Sequence, residues 1–98
     1  MIINKTVEES KLVLAPVGRL DTTTAPELDK ELDASLEGIK TLVIDFKDVA
    51  YISSAGLRVI LKAKKLMSAN GEMKVTGANT MIMEVFEITG FADMITIE

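Results

Sequence analysis

The chain has 98 residues, 48% hydrophobic and 27% charged, which is the composition of one folded domain with an ordinary core. Its 11 basic and 15 acidic residues give a formal net charge of −4, which argues against a basic face for nucleic acid. The sequence has neither His nor Cys, which excludes the usual zinc sites, serine–histidine and cysteine–histidine catalytic pairs, and disulfides.

The sequence also lacks the features of a membrane or secreted protein. No apolar stretch approaches the ~18 residues that a membrane span needs. The first residues enter a strand-like pattern directly and offer no signal peptide. A chain without Cys is compatible with a reducing compartment, so we expect a cytoplasmic protein that does not contact a membrane.

The chain begins with two predicted strands, Ile2 to Val7 and Lys11 to Val17, joined by a short polar connection that is typical of a hairpin. The second strand is an almost continuous apolar run, which predicts that it is well buried. Pro16 predicts a bulge or an end within this strand, because proline donates no hydrogen bond to a neighbouring strand.

A first helix is predicted from its start signals. Thr24 and Glu27 have capping-box spacing, Pro26 lies in the first turn, and Gly38 is a suitable terminator. The apolar residues fall on one side, which predicts a helix that packs one face on a sheet. These residues are Ala25, Leu28, Leu32, Leu36 and Ile39.

The apolar run within Thr41 to Asp45 predicts a buried strand, and a second small apolar group, Val49 to Ile52, follows it. A second helix is predicted over Ala55 to Ala69, with Asn70-Gly71 as its end. Its apolar face comprises Leu57, Ile60, Leu61, Ala63, Leu66 and Met67. The basic stripe of Arg58, Lys62 and Lys65 is interpreted as a solvated face.

A strand at Met73 to Thr76, a third helix at about Met81 to Thr89 and a strand-like tail from Phe91 to Ile97 complete the chain. In this helix Ile82, Val85, Phe86 and Thr89 are predicted to face inward. The order β-β-α-β-α-β-α-β predicts one α/β domain over residues 1–98, with a mixed, mostly parallel sheet and three or four helices.

Two serines, Ser53 and Ser54, lie where a strand passes into the second helix. A nucleophile elbow requires Gly-x-Ser-x-Gly, but Ile52 occupies the first glycine position and no histidine exists to activate a serine, so catalysis is excluded. Two roles remain open for Ser54, a helix N-cap and a phosphate acceptor. A phosphate at this place would lie beside the positive end of the helix dipole and would be tolerated.

The stretch from Asp45 to Leu57 closely resembles the signature of STAS domains, specifically the bacterial anti-sigma factor antagonists. Gly18-Arg19-Leu20-Asp21, followed by Thr22 to Leu28, resembles the second strand and the beginning of the first helix in that family. The order of elements and the length match as well. The resemblance therefore covers nearly the whole chain.

The resemblance implies a regulator that is not an enzyme and needs no cofactor. In that family a serine at the Ser54 position is phosphorylated by a partner that is both anti-sigma factor and serine kinase, and a phosphatase reverses the mark. The unphosphorylated antagonist binds the kinase and frees the sigma factor, so transcription changes. Many members have Asp where this chain has Ser53, and a second Ser or Thr where it has Ala55, which leaves Ser53 as a possible competing acceptor.

By the same resemblance, Asp21 matches an acidic residue near the kinase contact. The expected partner-binding face comprises Asp21, Thr22, Thr23, Ser53, Ser54, Ala55, Gly56, Leu57 and Arg58. One alternative is a STAS scaffold or accessory subunit of a transport or signalling complex without a phospho-switch. Another is a small nucleotide-binding protein, which the lack of a Walker-type or dinucleotide fingerprint disfavours. The oligomeric state stays open.

Two further groups of residues have an ordinary structural interpretation. Asp45 and Asp48 are interpreted as turn caps rather than a metal pair, because no third ligand is evident, and no metal is expected. The six methionines, Met81 and Met83 among them, are interpreted as filling gaps in the core. The alternative for these two is a pliable partner-binding patch near the third helix.

Overall fold

The computed structural model describes residues 1–69 and 71–98 and confirms the predicted α/β architecture, with one strand more than the sequence indicated. The elements in chain order are β1 (Ile2–Glu8), β2 (Lys11–Leu20), α1 (Ala25–Ser35), β3 (Thr41–Asp45), β4 (Val49–Ile52), α2 (Ser54–Ser68), β5 (Glu72–Thr76), α3 (Thr80–Thr89), a short 3₁₀ helix (Phe91–Asp93) and β6 (Thr96–Ile97). The predicted end of the second helix includes Asn70, which lies outside the described residues.

The strands form one mixed sheet in the order β1-β2-β3-β5-β6, with β4 paired to β2 beside this path. β1 is antiparallel to β2, and every other pairing is parallel, as the predicted hairpin edge and crossover helices require. The tail after α3 is only partly a strand, because a 3₁₀ turn precedes the two residues of β6.

β2 runs three residues further than predicted and does not end near Pro16. Its first part, Lys11 to Leu14, pairs with β3, and its last part, Gly18 to Leu20, pairs with β4. Pro16 lies between these two pairings, where no parallel neighbour requires its missing N–H. The irregularity in register falls at Gly18, which has a φ of 106°.

The group Val49 to Ile52, which the sequence marked only as apolar, is the strand β4. Val49 and Ile52 at its two ends are buried, and Gly18 N donates to Asp48 O at 2.9 Å just before it. Four residues are too few for a clear alternation of apolar and polar side chains. β4 exists because β2 projects beyond the end of β3 and offers an unpaired backbone.

The helices differ from the predicted ones mainly at their margins. α1 ends at Ser35, so Leu36 is a half-buried cap and Ile39, although buried, lies beyond the helix. In α2 the buried residues are Gly56, Val59, Ile60, Ala63 and Met67, whereas Leu66 is 44% exposed. Leu66 was predicted to face the core, but it lies at the edge of this stripe and borders a groove beside the end of α1.

Lys62 is not the solvated residue that the basic stripe predicted. Its Nζ donates to Asp33 Oδ1 at 2.9 Å and also to Asp29 Oδ1, so it joins α2 to the acidic side of α1. The hydrogen bond to Asp29, followed by the one to Asp33, raises the pKa of Lys62 above its ordinary value. Arg58 and Lys65 of the same stripe are exposed, as predicted.

The part of the core beneath α3 is aromatic. Phe86 is fully buried, with its ring centroid 5.9 Å from that of Phe46 and 6.3 Å from that of Phe91. Ile82 is also buried as predicted, and Val85 is half-buried.

Thr89, the remaining residue of the predicted inner face, is exposed, and its hydroxyl donates to Val85 O at 2.7 Å within the same helix. The methionines differ in burial: Met67 and Met73 lie in the core, whereas Met81 and Met94 are 53% and 48% exposed. Core filling is therefore the wrong explanation for these two methionines.

Phe86→Ala should lower the free energy of unfolding by about 3–5 kcal/mol, because it leaves a cavity between two other aromatic rings. Ile88→Ala in the same helix is the matched control and should change it by less than about 0.5 kcal/mol, since Ile88 is 85% exposed. Urea unfolding followed by circular dichroism measures both. Equal losses in the two variants would contradict the assignment of the inner face of α3.

Candidate functional site

The candidate site lies at the edge of the sheet where β2 and β4 end together. Leu20 and Ile52, the last residues of these parallel strands, are register partners, and Ser53 N donates to Leu20 O at 2.9 Å. The pairing therefore brings the loop that begins at Asp21 next to the start of α2, although the two segments are distant in sequence. We call this region, Asp21 to Thr23 with Ser53 to Arg58, the junction surface.

The structure gives different positions to the two serines of the junction surface. Ser53 is the N-cap of α2: its backbone is extended and its Oγ accepts a long hydrogen bond from Gly56 N at 3.4 Å. Ser54 is the first residue of the helix and is exposed, and its hydroxyl makes no hydrogen bond within the described part of the chain. The N-cap interpretation of Ser54 is thus wrong, and its hydroxyl is left available.

The backbone at the start of α2 is suited to an anion. Leu57 N donates the first intrahelical hydrogen bond, to Ser53 O at 2.9 Å, so the N–H groups of Ser54 and Ala55 lie ahead of it. Such groups, together with the helix dipole, favour negative charge at this end. Arg58 follows Ser54 by four residues and is therefore its neighbour on the helix surface.

Gly56 allows α2 to approach the ends of the two strands. A Cβ at this position would lie 2.8 Å from Ile52 Cγ1, 2.9 Å from Leu20 Cγ and 3.0 Å from Leu20 O. These atoms belong to buried residues, so they have little room to move. The glycine is needed for close contact, and it fixes the height of Ser54 above the sheet edge.

Asp21 organises the loop on the other side of the junction. Its Oδ1 accepts hydrogen bonds from Thr23 Oγ1 at 2.7 Å, Thr23 N at 3.0 Å and Thr24 N at 3.2 Å. These bonds, that from the Thr23 hydroxyl above all, hold the pKa of the Asp21 carboxyl below its ordinary value. The side chain of Asp21 is half-buried, with 30% of its surface exposed.

The capping box predicted for α1 is absent. Thr24 Oγ1 accepts from Asp21 N at 2.8 Å and donates to Arg19 O at 2.7 Å, so it does not cap the helix. The loop N–H groups instead bond to the Asp21 carboxylate, and Ala25 N donates to Asp21 O at 2.8 Å. Sequence spacing identified the right start for the helix and the right N-cap position, Thr24, but the predicted side-chain capping hydrogen bond is not made.

Arg19 and Tyr51 are site residues that the sequence analysis did not single out. They are register partners on β2 and β4, and the Arg19 guanidinium carbon lies 4.3 Å from the centroid of the Tyr51 ring. Arg19 Nε is also 3.8 Å from Asp21 Oδ2. No local signal indicates this contact, because it depends on the pairing of two distant strands.

The remaining predicted residues of the junction surface differ in exposure. Thr22, Thr23 and Arg58 are exposed, whereas Ala55 and Leu57 are half-buried and Gly56 is buried. Gly56 therefore shapes the surface from beneath and offers it no side chain.

Two other expectations concern metals and membranes. Asp45 Oδ1 accepts from Lys47 N at 3.0 Å, which confirms that Asp45 caps a turn, but the Asp48 side chain makes no hydrogen bond within the described residues, so the same interpretation is wrong for Asp48. Among residues 1–69 and 71–98, no three acidic side chains converge as a metal site would require. Over the same residues, no helix combines the length and the apolar character needed to cross a bilayer.

Comparison with known proteins finds a family match over nearly the whole chain. The sequence model of the STAS domain matches residues 2–98. The anti-sigma-B factor antagonist of Listeria monocytogenes is 37% identical over 84 residues, which cover 83% of this chain and 73% of that protein.

Solved structures share the fold at low sequence identity. An anti-sigma factor antagonist from Mycobacterium paratuberculosis is 20% identical with a TM-score of 0.89, covering 98% of this chain and 83% of that one. SpoIIAA of Bacillus is 15% identical in its unphosphorylated form, with a TM-score of 0.79 over 99% of this chain and 87% of that one. Its phosphorylated form gives a TM-score of 0.78.

Gly56→Ala should lower the free energy of unfolding by about 1–3 kcal/mol, because the added methyl group overpacks the contact with Leu20 and Ile52. The control is Ser54→Ala, an exposed position in the same turn, which should change stability little. Chemical unfolding of both variants measures the difference. A Gly56→Ala protein as stable as the wild type would contradict the close approach of α2.

Asp21→Asn should change how stability depends on pH. A lowered pKa means that the ionised carboxylate stabilises the fold fully above the ordinary value of 3.8 and loses this effect as the pH falls through the folded-state value. The wild type should therefore exceed Asp21→Asn in stability at neutral pH, and the gap should close below that ordinary value. The difference in stability is measured as the difference between the unfolding midpoints of the two proteins, from neutral pH to below 3.8.

Asp48→Asn is the control for this comparison, since its side chain is exposed and makes no hydrogen bond within the described residues. The difference in stability between Asp48→Asn and the wild type should stay constant over the same pH range. A constant gap for Asp21→Asn as well would show that the carboxylate charge does not stabilise the loop.

Proposed function

This chain belongs to the STAS domain family, and we propose that it is an anti-sigma factor antagonist that regulates transcription by partner switching. The name of its 37% identical Listeria relative supports the proposal. The observation that carries it is the position of Ser54: an exposed hydroxyl at the first residue of a helix whose N-cap is a different serine. The protein acts in the cytoplasm as a binding protein, with no cofactor and no catalysis of its own.

The partner is an anti-sigma factor that is also a serine kinase, and it binds the junction surface when Ser54 is unmodified. The pairing of β2 with β4 supports this assignment, because it presents the Asp21 loop and the start of α2 together. Hydrogen bonds to Asp21 hold that loop in shape before the partner arrives. Little conformational entropy is then lost on binding.

The partner phosphorylates Ser54 and thereby ends the complex. Ser54 Oγ attacks the γ-phosphorus of ATP in the partner's site, a new O–P bond forms, and the bond to the departing ADP breaks. The hydroxyl proton passes to a base of the partner, since this chain has no histidine. The phosphate adds about −1.5 to −2 charges to the surface that the partner contacts, which opposes rebinding.

The fold tolerates this modification for two reasons. The N–H groups of Ser54 and Ala55 and the positive end of the α2 dipole are directed to the same place. Arg58 lies one turn further on, exposed and without an ion-pair partner among the described residues, so it can pair with the phosphate. Phosphorylation then alters the charge of the surface without unfolding the helix.

Reversal of the mark by a serine phosphatase returns the antagonist to its binding state. SpoIIAA, which shares this fold, is known in phosphorylated and unphosphorylated forms. The regulated quantity is therefore the fraction of antagonist with a free Ser54 hydroxyl.

Ser54→Ala should abolish phosphorylation by the partner kinase with ATP, because it removes the only hydroxyl of the pair that is exposed and unbonded. Ser53→Ala is the matched control and should retain phosphate at Ser54. Intact mass and peptide mapping after incubation with kinase and ATP measure both variants. Ser54→Asp should bind the kinase at least tenfold more weakly than Ser54→Ala does, measured by calorimetry.

Phosphate found on Ser53 alone would contradict the choice of acceptor. No phosphate on either serine, together with binding that Ser54→Asp leaves unchanged, would instead indicate a STAS scaffold without a phospho-switch.

A further inference from the structure

The net charge of the chain is confined to its last quarter. Residues 1–74 contain 11 basic and 11 acidic side chains, whereas residues 75–98 contain four acidic side chains and no basic one. The whole formal charge of −4 therefore belongs to the segment that forms α3, the 3₁₀ helix and β6. Glu98 pairs with Lys74 at 3.7 Å, whereas Glu84, Glu87 and Asp93 have no ion-pair partner among the described residues, so three carboxylates of this segment stay unpaired.

The outer side of α3 adds apolar side chains to this charge. Ile88 is 85% exposed, the highest value among the large hydrophobic residues of the described chain, and Met81 is 53% exposed. Met81, Val85 and Ile88 have i, i+4, i+7 spacing and so form one stripe, with the half-buried Val85 in the middle. Glu84 and Glu87 are exposed beside it. We call these five residues the acidic–apolar face of α3.

This face is separate from the junction surface. The side-chain amide of Asn79, the N-cap of α3, lies 3.4 Å from the carbonyl oxygens of Val49 and Ala50, at the start of β4, whereas Ser54 follows the other end of that strand. α3 connects two strands, β5 and β6, that are parallel to each other. It must therefore run back along the sheet, away from the edge that carries Ser54.

We infer that the acidic–apolar face of α3 is a docking surface for a basic amphipathic helix of a partner protein. The apolar side of such a helix covers Met81, Val85 and Ile88, and its flanking Lys or Arg residues meet Glu84 and Glu87. The same carboxylates repel anionic lipid headgroups and nucleic-acid phosphates, which argues against a membrane or a nucleic acid as the occupant.

The position of the face adds a functional consequence. Because α3 runs away from the sheet edge that carries Ser54, a helix docked here stays bound whether or not that serine carries a phosphate. The domain then holds one partner constantly while the junction surface exchanges another. Docking at α3 rests on that helix and the charge distribution alone, whereas the exchange at the junction surface rests on the proposed partner switching.

A synthetic 14-residue helix of Leu and Lys, with Leu at i, i+3, i+4 and i+7 positions and a fluorescent label, serves as the probe. We expect saturable binding to the full chain, measured by anisotropy, and at least tenfold weaker binding to Met81→Gln/Ile88→Gln. The control is Val7→Gln, which removes another exposed apolar side chain, on β1, and should bind as the wild type does. Glu84→Gln/Glu87→Gln should also weaken binding and reduce its dependence on salt.

Four results would overturn the inference. They are equal binding to the wild type and Met81→Gln/Ile88→Gln, equal loss in Val7→Gln, and equal affinity for a permuted peptide that has the same composition but no apolar stripe. The fourth is concentration-dependent self-association that Met81→Gln/Ile88→Gln abolishes, which would assign the face to a second copy of the chain. An affinity that Ser54→Asp changes more than threefold would contradict the constant attachment.

Discussion

The parallel pairing of β2 with two successive strands is the constraint on which the candidate site depends. The first residues of β2 pair with β3 and its last residues pair with β4, and the change of partner occurs around Pro16 and Gly18. This arrangement sets Leu20 beside Ile52 and places two distant segments at one edge of the sheet. Shortening β2 by even a few residues would remove the pairing partner of β4, the strand that leads into the two serines, and would separate Asp21 from them.

At that edge the two adjacent serines have separate tasks. Ser53 satisfies the backbone at the start of α2, so the neighbouring hydroxyl is not needed for helix stability. Gly56 lets the helix pack so closely that its first turn stands directly on the two strand ends. A modification of Ser54 therefore alters a rigidly placed surface, which is what a partner that distinguishes two states must recognise.

The charged residues are distributed unevenly along this small domain, so its parts differ in net charge. Within residues 1–74 opposite charges balance and often pair, as Lys62 does with Asp29 and Asp33 across α1 and α2. The last quarter keeps an unbalanced negative charge beside exposed apolar side chains. α3 begins beside the first residues of β4, whereas the start of α2 follows the last residue of that strand, so the two proposed contacts would use separate elements of the domain.

The sequence by itself determined the α/β class, the positions of the three helices and the serine pair at a strand-to-helix junction. Apolar periodicity and capping residues are local signals, and they act before any tertiary contact forms. Only the tertiary structure decided that Val49 to Ile52 is a strand, that Asp21 rather than Thr24 holds the loop before α1, and that Arg19 stacks on Tyr51. Each of these depends on which distant backbone or ring is the neighbour, and spacing along the chain contains no information about that.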